Sequence, residues 1–136
     1  MLNTQSCEKW APYVLGILRI VTGFLFLQHG SAKLLGIPHL AMFEGGVPLM
    51  WLMGVAGILE LVGGSLILLG LFTRPVAFIL SGQMAVAYFM AHAPNGFLPI
   101  LNQGELAALY SFIFLYFAFA GGGKLSLDSV VSKKTS

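Results

Sequence analysis

Four long runs of apolar residues leave this chain almost no choice of solvent. Stretches such as GILELVGGSLILLGLF and AALYSFIFLYFAFA are apolar on every side, so no helix or strand built from them has a face suited to water. Crossing the hydrocarbon core takes about 20 residues per helix. The 136 residues therefore provide for four helices, short loops and no attached soluble catalytic domain. Charged residues make up 9% of the chain, against roughly 25% in an average soluble domain, which excludes a water-soluble globular fold. With 11 Phe and so little charge, intrinsic disorder is excluded too. A membrane β-barrel requires segments of about 10 residues that alternate in polarity, and the runs do not alternate. The expected fold is all-α: an integral membrane four-helix bundle forming one membrane domain over residues 1–136.

The spans are expected from about Pro12 to Leu35, Leu49 to Phe72, Pro75 to His92 and Glu105 to Ala120, with a tail over 121–136. Gly36-Ile37-Pro38, Thr73-Arg74-Pro75, Ala93-Pro94-Asn95-Gly96 and Gly121-Gly122-Gly123 mark the breaks. The first run carries Arg19, unlike the uninterrupted core of a cleavable signal, and is read as a retained helix. Outside the spans the basic residues are Lys9, Arg74, Lys124, Lys133 and Lys134, which predicts that both termini face the cytoplasm. The net charge of +2 is scattered, so nothing here points to nucleic acid. Cys7 is the lone cysteine, which rules out an intrachain disulfide or a CxxC dithiol.

Charged groups inside the spans are expensive, on the order of 2.5–3.5 kcal/mol each at mid-depth, and call for partners. On the first helix Arg19, Thr22, Phe26, His29 and Lys33 recur at spacings of three and four, forming one stripe that must face the bundle interior, with Gly23 and Gly30 beside it. Glu60 is the only charge of the second span, among Gly57, Gly63 and Gly64, which permit close helix approach. Arg19 and Glu60 are the expected ion pair, either a structural register-fixing bridge or the catalytic pair, with Gln83 at similar depth. A second cluster gathers at the other end: His29, Lys33, His92, Asn102, Gln103 and Glu105. Tyr88, Tyr110 and Tyr116 offer hydroxyls along the interior. The two histidines lack the further ligands of a zinc site, and haem would rest on that bare pair, so no metal is assigned and haem is disfavoured.

These residues together resemble the DoxX family of small four-helix membrane proteins. The likeness is carried by LRIVTGFLFLQHGSAKLLG, by GILELVGGSLILLGLFTRPVA, by Glu105 opening the fourth helix, and by the tail GGGKLSLD. It implies an inner-membrane protein linked to quinone-dependent oxidoreductase complexes, such as thiosulfate:quinone oxidoreductase, or to superoxide dismutase and a sulfurtransferase in actinobacteria. The family-like positions are Arg19, Lys33, Glu60, Arg74, Glu105, Ser126 and Asp128.

The expected function is a quinone- or quinol-linked subunit acting with a partner oxidoreductase subunit in membrane lipid. Glu60 and Arg19 are its candidate catalytic residues, and Arg19, His29, Lys33, Gln83, His92 and Glu105 are candidate binding residues for a quinone. The alternative is a non-enzymatic assembly or lipid-binding protein serving a respiratory or stress-response complex. Small-residue pairs such as Ser81/Ala85 and Ala107/Ser111 suit packing within the chain or between copies in a homo-oligomer.

Overall fold

The computed structural model describes residues 3–48 and 51–135, and among these it is helical with no strand. Helix α1 covers Thr4–Leu35, α2 Leu52–Leu69, α3 Thr73–Asn95, α4 Pro99–Asn102, α5 Glu105–Ala120 and α6 Leu127–Thr135. A 3₁₀ turn at Ala41–Phe43 lies in the loop after α1. By length and composition α1, α2 and α3 can each cross a membrane. The fourth apolar helix, α5, has 16 residues, or about 24 Å at 1.5 Å per residue, shorter than the roughly 30 Å hydrocarbon core.

Three expected boundaries move. Helix α1 begins eight residues before Pro12, because the Asn3 side chain accepts the Ser6 N–H at 2.8 Å and caps it. Pro12 is therefore inside the helix rather than at its start. Helix α2 ends at Gly70, whose φ of 70° stops it before Phe72, and α3 starts at Thr73. Leu49, the expected start of the second span, and the side chain of Lys134 lie outside the described residues.

Helices α1 and α2 approach backbone to backbone. A Cβ on Gly30 would meet Leu61 N at 2.3 Å, and one on Gly23 would meet Leu68 N at 2.5 Å. Gly64 faces Leu27 in the same way. The partner glycines Gly23 and Gly30 are seven residues apart, two turns of helix, so the contact is a repeating seam. Helices α3 and α5 form the other pair, joined by reciprocal hydroxyls: Ser81 donates to Ser111 O at 2.7 Å and Ser111 donates to Ser81 O at 3.0 Å. The small-residue positions Ser81 and Ser111 are thus used within the chain. Phe26, Ile67, Leu80, Met84, Tyr110 and Phe114 fill the space between the two pairs. Val14, Phe24, Phe78, Phe89, Phe112 and Phe119 point outward, as a lipid-facing belt requires.

Candidate functional site

The polar groups separate into two sites, one around Arg19 midway along α1 and one around Lys33 in its last turn, and this corrects the expected Arg19–Glu60 pair. Arg19 is fully buried and spends its guanidinium on main-chain carbonyls. Nε donates to Gly122 O at 2.8 Å, Nη1 to Ile67 O and Leu68 O at 2.8 and 2.7 Å, and Nη2 to Lys124 O and Leu125 O at 3.4 and 2.7 Å. Five N–H groups thus meet five carbonyls. Two of those carbonyls belong to the last turn of α2, where the negative end of the helix dipole favours a cation. The others hold the tail against the bundle. Lys124 N donates to Pro12 O, Asp128 N to Gly70 O, and the Asp128 carboxylate accepts the Phe72 and Thr73 N–H groups at the start of α3. The GGGKLSLD segment is a clasp that ties α1, α2 and α3 together. At the same end Arg74 donates to Ala118 O and Phe119 O of α5.

Glu60 pairs instead with Lys33, whose Nζ lies 2.7 Å from both carboxylate oxygens. The side chains are only 5% and 10% exposed, so the ion pair is largely desolvated. Lys33 also lies 5.9 Å from the Phe43 ring centroid, under the loop after α1. Gln83 completes the group as expected: its Nε2 donates to Glu60 Oε1 and Ala56 O, both at 3.4 Å. Its Oε1 is buried without a partner. Reversing the amide would set that oxygen against two other oxygens, so the orphan acceptor is a property of the site.

Beside this group a cavity of about 270 Å³ opens among α1, α2, α3 and α5. His29, Glu60, His92 and Gln103 contribute its polar wall, and Phe26, Met84, Leu106 and Tyr110 its apolar and aromatic wall. Tyr110 meets Phe26 and His29 edge-on, with centroids 5.2 and 6.3 Å apart. Local helix geometry positions the Glu60 and His92 side chains. Glu60 is on a π-turn at Leu59–Gly63 within α2, and His92 ends another at Tyr88–His92 within α3. Such an extra residue per turn re-aims side chains and recurs at functional sites.

His92 Nδ1 is 3.1 Å from Asn102 O. A carbonyl can only accept, so Nδ1 carries a proton, and in the neutral ring this tautomer leaves Nε2 as the acceptor. Asn102 is itself buried and locks the connection before α5, donating to Tyr88 Oη and Gly96 O and accepting from Gly104 N. A Cβ at Gly104 would strike the Tyr88 ring at 2.6 Å, so this closure needs glycine there.

The structure therefore brings Glu60, Lys33, Gln83, His29 and His92 together and leaves two expected site residues out. Arg19 is 14 residues from Lys33 on α1, about 21 Å along the axis. Glu105 is exposed in the first turn of α5 and does not line the cavity. Two wall residues, Gln103 and Tyr110, were not among the expected binding residues. Both were in view in the sequence, Tyr110 as an interior hydroxyl and Gln103 in the second polar cluster, but Gln103 is placed by a left-handed backbone, φ 61°, that no spacing reveals. Among the described residues no group of three or more His, Cys, Asp and Glu could hold a metal ion.

Comparison with known proteins identifies the family. The family model DoxX matches residues 14–93. A Haemophilus influenzae protein of uncharacterised role is 50% identical over 96% of this chain and 99% of its own length. A Bacillus subtilis protein whose name marks it as a proposed oxidoreductase, CatD, is 30% identical over 86% of each chain. An uncharacterised membrane protein of Mycobacterium tuberculosis, Rv3486, is 30% identical over 88% of this chain and 82% of its own. No solved structure matches the chain. The chain is a membrane protein and belongs to the DoxX family.

Proposed function

We propose that this protein is a quinol-binding membrane subunit that passes electrons to a partner oxidoreductase, with the quinol ring held in the cavity between His92 and Glu60. The observation that carries the reading is the convergence of acceptors on an aromatic-walled cavity inside an apolar bundle. His92, with Nδ1 on the Asn102 carbonyl, presents Nε2 in its neutral form, Glu60 presents a carboxylate, and each can accept a hydroxyl proton. Phe26 and Tyr110 offer ring faces and edges for an aromatic headgroup. The volume supports a single ring: about 270 Å³ lies just below the roughly 300–1,000 Å³ of pockets that hold drug-sized ligands.

Oxidation of a quinol releases two protons and two electrons. Glu60 and His92 take the protons, and Lys33 stabilises the carboxylate between turnovers. The side chains around the cavity are not two-electron acceptors, so the electrons pass to a redox cofactor of the partner. Arg19 belongs to the tail clasp in this account and does no chemistry. The similarity to CatD supports the oxidoreductase class.

In this reading the protein lies in the inner membrane with its tail end in the cytoplasm, which the charge distribution supports. Lys9, Arg74, Lys124 and Lys133 all fall at that end, while the loops at 36–48 and 93–104 contain no Lys or Arg. The cavity then opens toward the outer face. An alternative, a lipid-binding assembly protein, is favoured by the exposed Phe97, Ile100 and Leu101 on the loop beside the cavity, which suit the headgroup layer.

Glu60→Gln separates the readings, because it keeps shape and removes the base. Normal membrane abundance with loss of quinol-dependent reduction of the partner supports the proposal. Loss of abundance alone assigns Glu60 a purely structural role.

A further inference from the structure

The cavity that accepts the ring has no room for a hydrocarbon chain, yet two apolar clefts lie along the neighbouring seam between α2 and α3. One, of about 160 Å³, begins at Glu60 and Gln83 and is walled by Met53, Ala56, Met84 and Ala87. Glu60, Met84 and Ala87 line both this cleft and the ring cavity, so the two are neighbours across those side chains. The second, separate cleft, of about 180 Å³, lies further along the same two helices between Leu59, Val62, Val76 and Leu80. Leu52, Met53, Val86 and Met90 at the first cleft are exposed, so it opens sideways onto the lipid-facing belt.

The dividing wall is suited to yield. Ala87 has no side chain beyond Cβ, and Met84 is unbranched with several rotatable bonds, the property that lets methionine accommodate irregular contents. The π-turn at Glu60 loosens the α2 surface at that level. By contrast α1 and α2 are in backbone contact through Gly23, Gly30 and Gly64, and α3 and α5 are locked by Ser81 and Ser111, so neither of those seams can admit a chain.

We infer that the α2–α3 seam is a lateral slot for the hydrocarbon tail of an amphiphilic hydroxyaromatic whose ring occupies the cavity beside Glu60. This rests on the quinol reading and adds a substrate class, a long-chain quinol that enters from the lipid rather than a water-soluble catechol or hydroquinone. The tail gains little hydrophobic energy by moving from lipid into an apolar slot, since both are apolar. What the slot supplies is orientation: a tail lying between α2 and α3 points the ring across the Met84–Ala87 wall toward His92.

Equilibrium dialysis of the purified protein in lipid nanodiscs tests the slot with two probes, a tail-less dimethoxy-methyl hydroquinone and its decyl homologue. Two variants obstruct it: Ala56→Phe fills the cleft, and Met53→Trp, at an exposed position that folding tolerates, narrows its mouth. The expected result is a loss of roughly tenfold in affinity for the decyl compound in either variant, with the tail-less compound unchanged. If both probes bind and both variants leave the decyl compound unaffected, or weaken the two probes equally, the slot is overturned and the ring site stands. A change confined to retained phospholipid also overturns it, by giving the cleft to an acyl chain. Failure of both probes to bind the unmodified protein overturns the ring site itself and the slot with it.

Discussion

Removing the Lys33 ammonium would leave the Glu60 carboxylate buried with no cation beside it. Breaking a buried pair from one side typically costs about 3–5 kcal/mol, whereas replacing both members by apolar groups is often nearly neutral. Lys33→Met should therefore lower thermal stability in detergent by about that amount, and Lys33→Met with Glu60→Met should recover most of it while abolishing ligand binding. Equal instability of the single and double variants would contradict the pairing. Arg19 behaves differently, because its partners are dipoles. Arg19→Lys keeps the charge but replaces a five-donor fork by three donors. With charge-assisted bonds worth roughly 1.5–3 kcal/mol each, the tail should loosen, and limited trypsin digestion should cut after Lys124 much faster than in the unmodified protein. Unlike charges are visible in a sequence, but a nest of carbonyls is not, and so the expected partner of Arg19 was the only acid at comparable depth. The register explains the exchange. Gly30 lies against Leu61 and Gly23 against Leu68, so Arg19, one turn further on, reaches the end of α2. Lys33 reaches Glu60 from the other side.

The helices themselves were plain from the apolar runs and their Gly and Pro breaks, and the interior stripe on α1 was plain from its spacing. Arg19, Thr22 and Phe26 are buried on it as expected, and His29 lines the cavity although it is exposed. The π-turns at Glu60 and His92 were not, since a single inserted residue per turn leaves no mark on an all-apolar segment. The closeness of α1 and α2 was signalled by glycines, and it gives a sharp test. A methyl at Gly30 would lie 2.3 Å from Leu61 N and 2.6 Å from Gly57 O, both rigid backbone atoms. Gly30→Ala should thus push the helices apart, destabilise the protein by about 1–3 kcal/mol and weaken the neighbouring Lys33–Glu60 bridge. Thermal denaturation together with ligand affinity measures both effects. At the other end, Asp128→Ala removes the carboxylate that caps α3, at a cost of about 0.5–2 kcal/mol. Faster hydrogen exchange at the Phe72 and Thr73 amides is the expected signature, with the ring cavity unchanged.

Across the whole molecule the two ends have different tasks. The tail end is a clasp in which Arg19, Arg74 and Asp128 satisfy main-chain groups, and the other end holds the cavity lined by Glu60 and His92, with Gln83 hydrogen-bonded to Glu60 beside it. The division follows from the chain's own chemistry: main-chain groups engaged by Arg19, Arg74 and Asp128 at one end, imidazoles and the Lys33–Glu60 pair at the other. Which molecule occupies the cavity was not readable from residue types, because acceptors on an aromatic wall become a site only when two π-turns and a left-handed Gln103 aim them together. Mass spectrometry of the small molecules extracted from the detergent-purified protein, with an ultraviolet-visible spectrum of the same sample, tests the central claim most directly. A near-stoichiometric quinone or quinol, retained in Arg19→Lys and lost in Glu60→Gln and His92→Phe variants that still fold, is the expected result. A colourless protein carrying only bulk phospholipid, the same in all four samples, would contradict it.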